Sequence, residues 1–244
     1  AGSDSYVVDN RNDRIFELAQ GGSDTVHSGA ARYTLAANVE NGVLTAGGAA
    51  LTGNALANSL VGNAEDNRLD GAAGADLMIG GAGNDTYVVD NRNDRIVEQV
   101  QGGTDTLRSS ALSYKLAPQL ENGVLLEGGR ALTGNDRANM LVGNATDNRL
   151  DGGAGADILR GGAGDDLYVV DRSSDRILEA SGGGRDLVHS AAAAYTLASQ
   201  VEDGRLLAGG QSLTGNGLAH TLTGNAAFGR SKFTDFTDPY TGTS

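Results

Sequence analysis

The sequence predicts an all-β protein: a parallel β-roll, or β-solenoid, built from three 81-residue repeats. Three observations lead to this prediction. One six-residue segment recurs at constant spacing, a nine-residue period runs inside each repeat, and glycine supplies 38 of the 244 residues. Glycine at fixed intervals favours tight turns between very short strands, because glycine adopts positive φ angles without a steric penalty.

The long repeat is visible in the recurrence of the sequence DSYVVD. It begins at Asp4, returns as DTYVVD from Asp85 and returns again as DLYVVD from Asp166, so each offset is 81 residues. We therefore predict one continuous solenoid over residues 1–227, followed by a non-repeat tail over residues 228–244. The predicted repeat units are residues 4–84, residues 85–165 and a truncated unit at residues 166–227.

The short period starts at Gly53, where the chain reads GNALANSLV, GNAEDNRLD, GAAGADLMI, GGAGNDTYV and VDNRNDRIV, and it starts again at Gly134. In each nonapeptide the sixth residue is Asp or Asn and the eighth is large and apolar. The first six residues suit a turn, and the last three suit a short strand with the eighth side chain inward. Eighteen residues then close one coil. The predicted inward residues are Leu60, Leu69, Met78, Tyr87, Ile96, Leu141, Leu150, Leu159, Tyr168 and Ile177.

The nine-residue rule fails between Ile96 and Leu132. This stretch still reads as strands and turns, and we interpret it as wider or irregular coils on the same stack. Because 81 residues correspond to four and a half coils of 18, a uniform roll would turn each repeat over relative to the last. The expected strands are at residues 106–107, 114–116 and 124–126, and the expected turns are at residues 102–103 (Gly-Gly) and 122–123 (Asn-Gly).

The charge of the chain bears on its partners. With 31 acidic and 18 basic residues the net charge is −13, which disfavours nucleic acid and anionic membrane surfaces and attracts cations. No apolar run approaches the ~18 residues needed to cross a bilayer, so we expect no membrane insertion. Cysteine is absent, which excludes disulfides and thiolate metal sites. The motifs G-x-S-x-G and H-E-x-x-H and the phosphate loop are absent too, and we expect no enzymatic activity.

The aspartates at position six indicate a bound metal. Coils of a solenoid lie ~4.8 Å apart, so residues 18 apart in the sequence stack almost directly. Asp76 should therefore face Asp94, and Asp157 should face Asp175. Like charges at this distance repel each other unless a cation lies between them. Carboxylate oxygens and the backbone carbonyls of glycine-rich turns are ligands that Ca²⁺ prefers, whereas Mg²⁺ demands a tighter octahedron.

Two nonapeptides, GGAGNDTYV from Gly80 and GGAGDDLYV from Gly161, match the pattern G-G-x-G-x-D-x-U-x. GGAGADILR from Gly152 matches as well, while GAAGADLMI departs from the pattern at Ala72. In these residues the chain resembles the RTX-type, or hemolysin-type, family of calcium-binding nonapeptide-repeat proteins. The resemblance implies a chain that is exported unfolded by type I secretion and folds into a calcium-loaded β-roll outside the cell.

The resemblance also implies calcium-ligand roles for residues of the turns. The side-chain ligands would be Asp76, Asp85, Asp94, Asp157, Asp166 and Asp175. The carbonyl ligands would be those of Gly80, Gly81, Gly83, Gly161, Gly162 and Gly164. Asp4 and Asp13 hold the matching places near the N-terminus, where most of the preceding turn is missing.

Two further sets of polar residues allow more than one interpretation. The first set recurs at the 81-residue spacing and either completes extra sites with Glu98 and Glu179 or is solvated surface charge. Its members are Asp90, Asp105, Asp171 and Asp186. The second set either contributes to metal sites or only caps turns, as asparagine does without any metal. Its members are Asn58, Asn67, Asn139 and Asn148.

The primary functional hypothesis is a calcium-binding structural β-solenoid of a secreted or cell-surface bacterial protein. It includes head-to-tail association of copies into a filament, unless the two ends are boundaries of a longer array. The alternative is the calcium-folded C-terminal part of an exported lipase, protease or polysaccharide epimerase, whose catalytic domain lies elsewhere. A third hypothesis, carbohydrate binding, rests on Tyr33, Tyr114 and Tyr195, which otherwise belong to the core.

Overall fold

The computed structural model describes residues 2–225 and the strand at residues 233–234. Every regular element in these residues is a β-strand, and no helix among them is long and apolar enough to cross a bilayer. The chain divides into two compact units, residues 1–122 and residues 123–244. Each unit is a parallel β-solenoid, which confirms the predicted all-β, parallel β-roll class.

The first unit contains twelve complete strands in its described residues. They are β1 (Ser5–Val8), β2 (Thr25–Ser28), β3 (Tyr33–Thr34), β4 (Asn41–Leu44), β5 (Ala50–Thr52), β6 (Ser59–Val61), β7 (Arg68–Asp70), β8 (Leu77–Ile79), β9 (Thr86–Val89), β10 (Arg95–Val97), β11 (Thr106–Ser109) and β12 (Ser113–Lys115). One sheet runs in the order β1-β2-β4-β6-β8-β10. A second set of parallel pairs runs β3-β5-β7-β9-β11. From β4 onward, consecutive strands therefore alternate between the two faces.

Strand β13 (Asn122–Leu125) begins at the last residue of the first unit. The second unit continues with β14 (Ala131–Thr133), β15 (Met140–Val142), β16 (Arg149–Asp151), β17 (Ile158–Arg160), β18 (Leu167–Val170), β19 (Arg176–Ile177), β20 (Leu187–Ser190), β21 (Ala194–Thr196), β22 (Asp203–Leu206), β23 (Ser212–Thr214), β24 (Thr221–Thr223) and β25 (Phe233–Thr234). Its parallel pairs form the runs β14-β16-β18-β20-β22-β24, β15-β17-β19 and β21-β23-β25. Apart from β25, the predicted tail at residues 228–244 lies outside the described residues.

The strand register gives the length of each coil. Within the nonapeptide blocks, paired residues are 18 apart, as Arg68 and Thr86 show. Thr86 instead pairs with Thr106, so this coil holds 20 residues. Near the N-terminus a 20-residue coil from Ser5 to Thr25 is followed by a 16-residue coil to Asn41. Within the first unit the prediction of irregular coils is therefore confirmed.

The 81-residue spacing corresponds to four coils and a half, and the effect of the extra half coil is visible in the first unit. Tyr6 on β1 belongs to the sheet that contains β2 and β4, whereas Tyr87 on β9 pairs with β7 and β11 in the other sheet. Equivalent residues of the first two copies therefore lie on opposite faces of the solenoid. This is the half-turn that four and a half coils per repeat predicts.

The core is a thin stack of apolar side chains between the two faces. All ten residues that the nonapeptide period predicts as inward are buried. In register, Leu51, Leu69 and Tyr87 stack on neighbouring strands, and all three are fully buried. Burial of such side chains removes apolar surface from water and is the main stabilising contribution that this narrow core provides.

Tyr33, Tyr114 and Tyr195 are also core residues. Each is at most 8% exposed, and its hydroxyl donates to the backbone carbonyl of an aspartate in the preceding coil. The hypothesis of a carbohydrate-binding tyrosine face therefore loses its support, because buried rings cannot stack on a sugar.

One predicted turn is wrong. Asn122 and Gly123 belong to strand β13, and the corresponding Asn41 and Gly42 belong to β4. The reason lies in the core: Gly42 is buried, and a Cβ atom placed on it would lie 2.6 Å from Cδ2 of Leu51. Only glycine fits at position 42, because Leu51 from the opposite face fills the space that a side chain would occupy. The glycine therefore does not mark a turn.

Candidate metal centres

Position-six residues form rows in which each member is hydrogen-bonded to the member one coil later. The backbone N–H of Asn58 donates to Asp76 Oδ1 (2.7 Å), and that of Asp76 donates to Asp94 Oδ1 (3.0 Å). In the second unit Asn139, Asp157 and Asp175 repeat this arrangement at 2.8 and 3.1 Å. Asp76 thus faces Asp94, and Asp157 faces Asp175, as the 18-residue spacing predicts.

A second row of the first unit contains Asn67, Asp85, Asp105 and Glu121. The backbone N–H of each of the first three residues donates to a carboxylate oxygen of the next residue in the row, at 2.8, 2.8 and 2.9 Å. The second unit repeats the row with Asn148, Asp166, Asp186 and Glu202. Near the N-terminus the corresponding residues are Asp4, Asp24 and Glu40. The fold therefore stacks acidic side chains along its turns.

Several aspartates of these rows accept a backbone hydrogen bond with only one of their two oxygens. Five aspartates, each at most 2% exposed, have a buried Oδ2 without a hydrogen-bond partner among the residues that the structure describes. They are Asp24, Asp76, Asp85, Asp157 and Asp166. A buried carboxylate oxygen without a partner is costly, and a cation or a proton would compensate it.

The electrostatics agree with this need for a positive charge. Burial raises the pKa of the aspartates, while backbone hydrogen bonds lower it and neighbouring carboxylates raise it further. The pKa rises to about 6 for Asp76, Asp105 and Asp186, and to about 7 for Asp85, Asp157 and Asp166. At neutral pH several of these groups would carry charge that the protein itself does not neutralise.

The asparagines at position six behave differently. Asn58 Oδ1 accepts from the backbone N–H of Asn54 (2.7 Å), and its Nδ2 donates to the carbonyls of Val39 and Glu40 (3.0 and 3.2 Å). Asn67 likewise accepts from and donates to Asn63. An amide N–H₂ thus provides the hydrogen-bond donor that an aspartate lacks. These contacts support the turn-capping interpretation of the asparagines.

The turns leave no room for side chains at their first position. A Cβ atom on Gly80 would collide with Asp85 Oδ2 and with the Tyr87 hydroxyl, and it would lie 2.7 Å from Glu98 Oε2. Gly161 has the same relation to Asp166 and Tyr168. Other turn glycines adopt positive φ angles, namely Gly81, Gly83, Gly162 and Gly164. Ala72, which departs from the nonapeptide pattern, takes the same left-handed conformation with φ 59°.

The remaining predicted ligands lie in different settings. Asp94 is buried, and its Oδ2 accepts from the backbone N–H of Asn91 (3.2 Å); Asp175 caps its turn in the same way. Asp13 is exposed and also caps a turn. The structure brings Asp105 and Asp186 into the buried rows. Asp4, Asp90 and Asp171 are exposed, and Asp171 lies 3.7 Å from Arg172.

Four acidic residues of the rows are not among the predicted ligands, and the sequence leaves the role of Glu98 and Glu179 open. The four are Asp24, Glu40, Glu121 and Glu202. All of them recur at the 81-residue spacing, so the same comparison that found Asp105 could have found them. The proximity of Asp24, Glu40, Glu121 and Glu202 to the aspartates does not follow from the 18-residue spacing, because these residues are reached through coils of 16 or 20 residues. Glu98 and Glu179 follow the regular spacing and stack on Gly80 and Gly161.

The donors present here fit calcium. Buried carboxylate oxygens without protein partners lie beside glycine-rich turns, and Ca²⁺ takes six to eight such oxygen ligands in flexible geometry. Soft or imidazole ligands, which transition metals prefer, play no part in these rows.

Comparison with known proteins is consistent with this chemistry. Residues 52–87 and 133–168 match the family described as RTX calcium-binding nonapeptide repeat, in four copies. The matched residues include Asp76, Asp85, Asp157 and Asp166, whose Oδ2 atoms lack partners. No curated protein and no solved structure matches the chain significantly.

Proposed function

The chain is an RTX-type β-roll protein with calcium-binding nonapeptide repeats, and we propose that it is a non-enzymatic structural module of a secreted or cell-surface bacterial protein. The module folds when calcium binds outside the cell. One observation carries this proposal: the rows of buried aspartates with an unpartnered oxygen make the fold electrostatically incomplete without cations.

The physical basis is a balance between charge and a small core. Strands of two to four residues bury few large side chains, so the apolar contribution to stability is modest. The stacked carboxylates oppose folding, because each must give up its hydration next to another negative charge. A cation that binds only the folded chain reverses this balance and stabilises it by mass action.

Asp76, Asp85, Asp157 and Asp166 would hold calcium with one oxygen while the other keeps its backbone hydrogen bond. Carbonyls of the positive-φ glycines would supply further ligands. Extracellular calcium modules bind with dissociation constants of roughly 10⁻⁴ to 10⁻³ M. Such affinities fit a chain that stays unfolded during export and folds in calcium-rich surroundings.

The same module would serve equally as the C-terminal part of an exported lipase, protease or polysaccharide epimerase. The match to calcium-binding repeats supports both forms of the proposal. The intact mass of the product isolated from its native host separates them. A product much heavier than 24.8 kDa with a catalytic motif upstream favours the enzyme form.

Head-to-tail association of copies is part of the structural form of the proposal. Support comes from the parallel register, which gives every coil the same hydrogen-bonding direction as its neighbours. Light scattering with and without calcium tests it: growth of long particles with calcium supports the filament, and a calcium-loaded monomer at high concentration excludes it.

Equilibrium dialysis against Ca²⁺ tests the calcium function itself. We expect saturable binding of several ions per chain, with Mg²⁺ a poor competitor. Absence of saturable binding up to about 10 mM Ca²⁺, well above the range of extracellular modules, would overturn the proposed function.

A further inference from the structure

Two carboxylates outside the matched nonapeptides, those of Glu98 and Asp105, lie next to Asp85. One ligand atom from each of Asp85, Glu98 and Asp105 lies within 4.8 Å of one from each of the others. Asp85 and Asp105 are 1% exposed, and Asp85 Oδ2 is among the buried oxygens that lack a partner in the described residues. Three carboxylates thus converge on a point that the solvent hardly reaches.

Glu98 lies one coil after Gly80, because β10 pairs with β8 at the regular spacing of 18 residues. A regular nonapeptide would begin with glycine at this place, and the extra residues of the 20-residue coil come after Glu98, before Thr106. The Glu98 carboxylate turns back toward the preceding turn. A Cβ atom on Gly102 would lie 2.8 Å both from Glu98 Oε1 and from the carbonyl oxygen of Gly81. The Glu98 carboxylate therefore lies near the Gly81 carbonyl oxygen as well as near Asp85.

The Tyr87 hydroxyl fixes the glutamate. Tyr87 is fully buried and donates a hydrogen bond to Glu98 Oε2. Burial and this hydrogen bond to a carboxylate raise the pKa of Tyr87 far above its ordinary value, so the hydroxyl keeps its proton. The Glu98 Oε1 atom accepts from the backbone N–H of Gln99 (2.7 Å). Tyrosine and backbone together hold the glutamate in one orientation.

The equivalent residues of the second unit make several of the same contacts. Tyr168 donates to Glu179 Oε1, Asp166 Oδ2 is buried without a partner, and Asp186 Oδ1 accepts from the N–H of Asp166 (2.9 Å). A Cβ atom on Gly183 would lie 2.7 Å from Glu179 Oε2 and 2.9 Å from the Gly162 carbonyl oxygen. Near the N-terminus the equivalent carboxylates Asp4, Glu17 and Asp24 have ligand atoms within 4.8 Å of one another, and the Tyr6 hydroxyl donates to Glu17 Oε2 (2.6 Å).

We propose that the Ca²⁺ sites of Asp85 and Asp166 form a second class, distinct from those of Asp76 and Asp157. Each is completed by two further carboxylates, those of Glu98 and Asp105 or of Glu179 and Asp186, and Tyr87 and Tyr168 are positioning residues. This inference rests on the proposed calcium-binding function. Ligand charge tunes calcium affinity, and three carboxylates exceed the two that face each other at Asp76 and Asp94 or at Asp157 and Asp175. The sites with three carboxylates therefore fill first.

Equilibrium dialysis with CaCl₂ of the full chain and of its Glu98→Gln/Glu179→Gln variant tests the inference. We expect the tightest class of bound ions to weaken by about tenfold in the variant, while the weaker class is unchanged. Glu127→Gln, at an exposed turn glutamate, is the matched control and should reproduce the wild-type curve. A variant curve that coincides with wild type overturns the second class of site. A wild-type chain that binds no calcium overturns the proposed function instead.

Terbium provides a measurement that does not depend on the folding of the glutamate variant. The chain has no tryptophan, so tyrosine alone sensitises the emission of bound Tb³⁺. We expect Tyr87→Phe/Tyr168→Phe to lose most of this emission. The substitutions remove the two phenol groups that lie beside the proposed ligands Glu98 and Glu179, and with them the nearest sensitisers of the bound ion. Tyr33→Phe, whose hydroxyl donates to the Asp13 carbonyl, is the control and should keep it. Unchanged emission in the double variant overturns the proposal.

Discussion

The backbone N–H of Asn67 donates a hydrogen bond of 2.8 Å to Oδ1 of Asp85, one coil later in the chain. This contact occupies one oxygen of the aspartate and leaves Oδ2 buried without a partner in the described part of the chain. Asp85 thus joins two coils through Oδ1 and offers Oδ2 to a cation.

Asp85→Asn should weaken calcium binding and stabilise the metal-free chain. The amide keeps the Oδ1 acceptor for Asn67, but it removes a buried negative charge and places an N–H₂ group where the ion would bind. We expect the calcium concentration at half-folding to rise by about tenfold, equivalent to ~1.4 kcal/mol. Circular dichroism during a calcium titration measures this midpoint.

Asp136→Asn is the matched control, since Asp136 is exposed. Equal calcium midpoints for the two variants would show that Asp85 is not a ligand.

Gly80→Ala should disrupt the neighbouring carboxylate site. Its Cβ atom would collide with Asp85 Oδ2 and the Tyr87 hydroxyl, so both side chains would have to move. We expect a loss of calcium affinity of tenfold or more, with Gly217→Ala as the control because nothing lies within 4 Å of its Cβ position. Isothermal titration calorimetry with CaCl₂ compares them; similar affinities would mean that the first turn position tolerates a side chain.

The pH dependence of the metal-free chain should be the reverse of ordinary acid denaturation. Burial, together with the nearby carboxylates of Glu98, Asp105 and Asp66, raises the pKa of Asp85 to about 7, whereas an unfolded aspartate titrates near ~3.9. The folded state therefore binds more protons between these values, and its stability falls as pH rises from about 4 to about 7. In chelator we expect more β-structure at pH 5 than at pH 8.

Calcium-loaded protein should show the opposite trend, because protons compete with the cation for the same oxygens. Circular dichroism at several pH values, with chelator and with calcium, follows both trends. A metal-free chain that gains structure as pH rises would contradict the account of the buried aspartates.

Leu69→Ala should destabilise the calcium-loaded fold through the core alone. Leu69 is fully buried between Leu51 and Tyr87 on the adjacent strands. We expect a loss of ~2–5 kcal/mol in urea unfolding, against at most ~0.5 kcal/mol for Leu56→Ala, which is 38% exposed. Similar losses for the two variants would indicate that the thin core contributes little.

The regular part of this fold could be predicted from the sequence because each nonapeptide repeats one local rule. Leu60 and Leu141 mark the same inward position, and Asp76 and Asp157 mark the same turn, so one coil determines the next. Spacing alone gave the register of Asp76 against Asp94. Local repetition of this kind needs no knowledge of distant contacts.

The irregular coils were less predictable because their lengths compensate each other. A 20-residue coil followed by a 16-residue coil holds as many residues as two regular coils, and the register then returns to 18. Within these coils Gly42 fills a strand position that faces Leu51. Asp105 stacks on Asp85 through the two extra residues of the longer coil. Neither relation follows from local sequence.

Far-UV circular dichroism in chelator and in calcium at neutral pH tests whether the chain needs calcium to fold. We expect a largely disordered chain in chelator and a β-rich spectrum that appears cooperatively as calcium is added, with magnesium unable to replace it. A spectrum in chelator that is already as rich in β-structure as the spectrum in calcium would contradict this expectation.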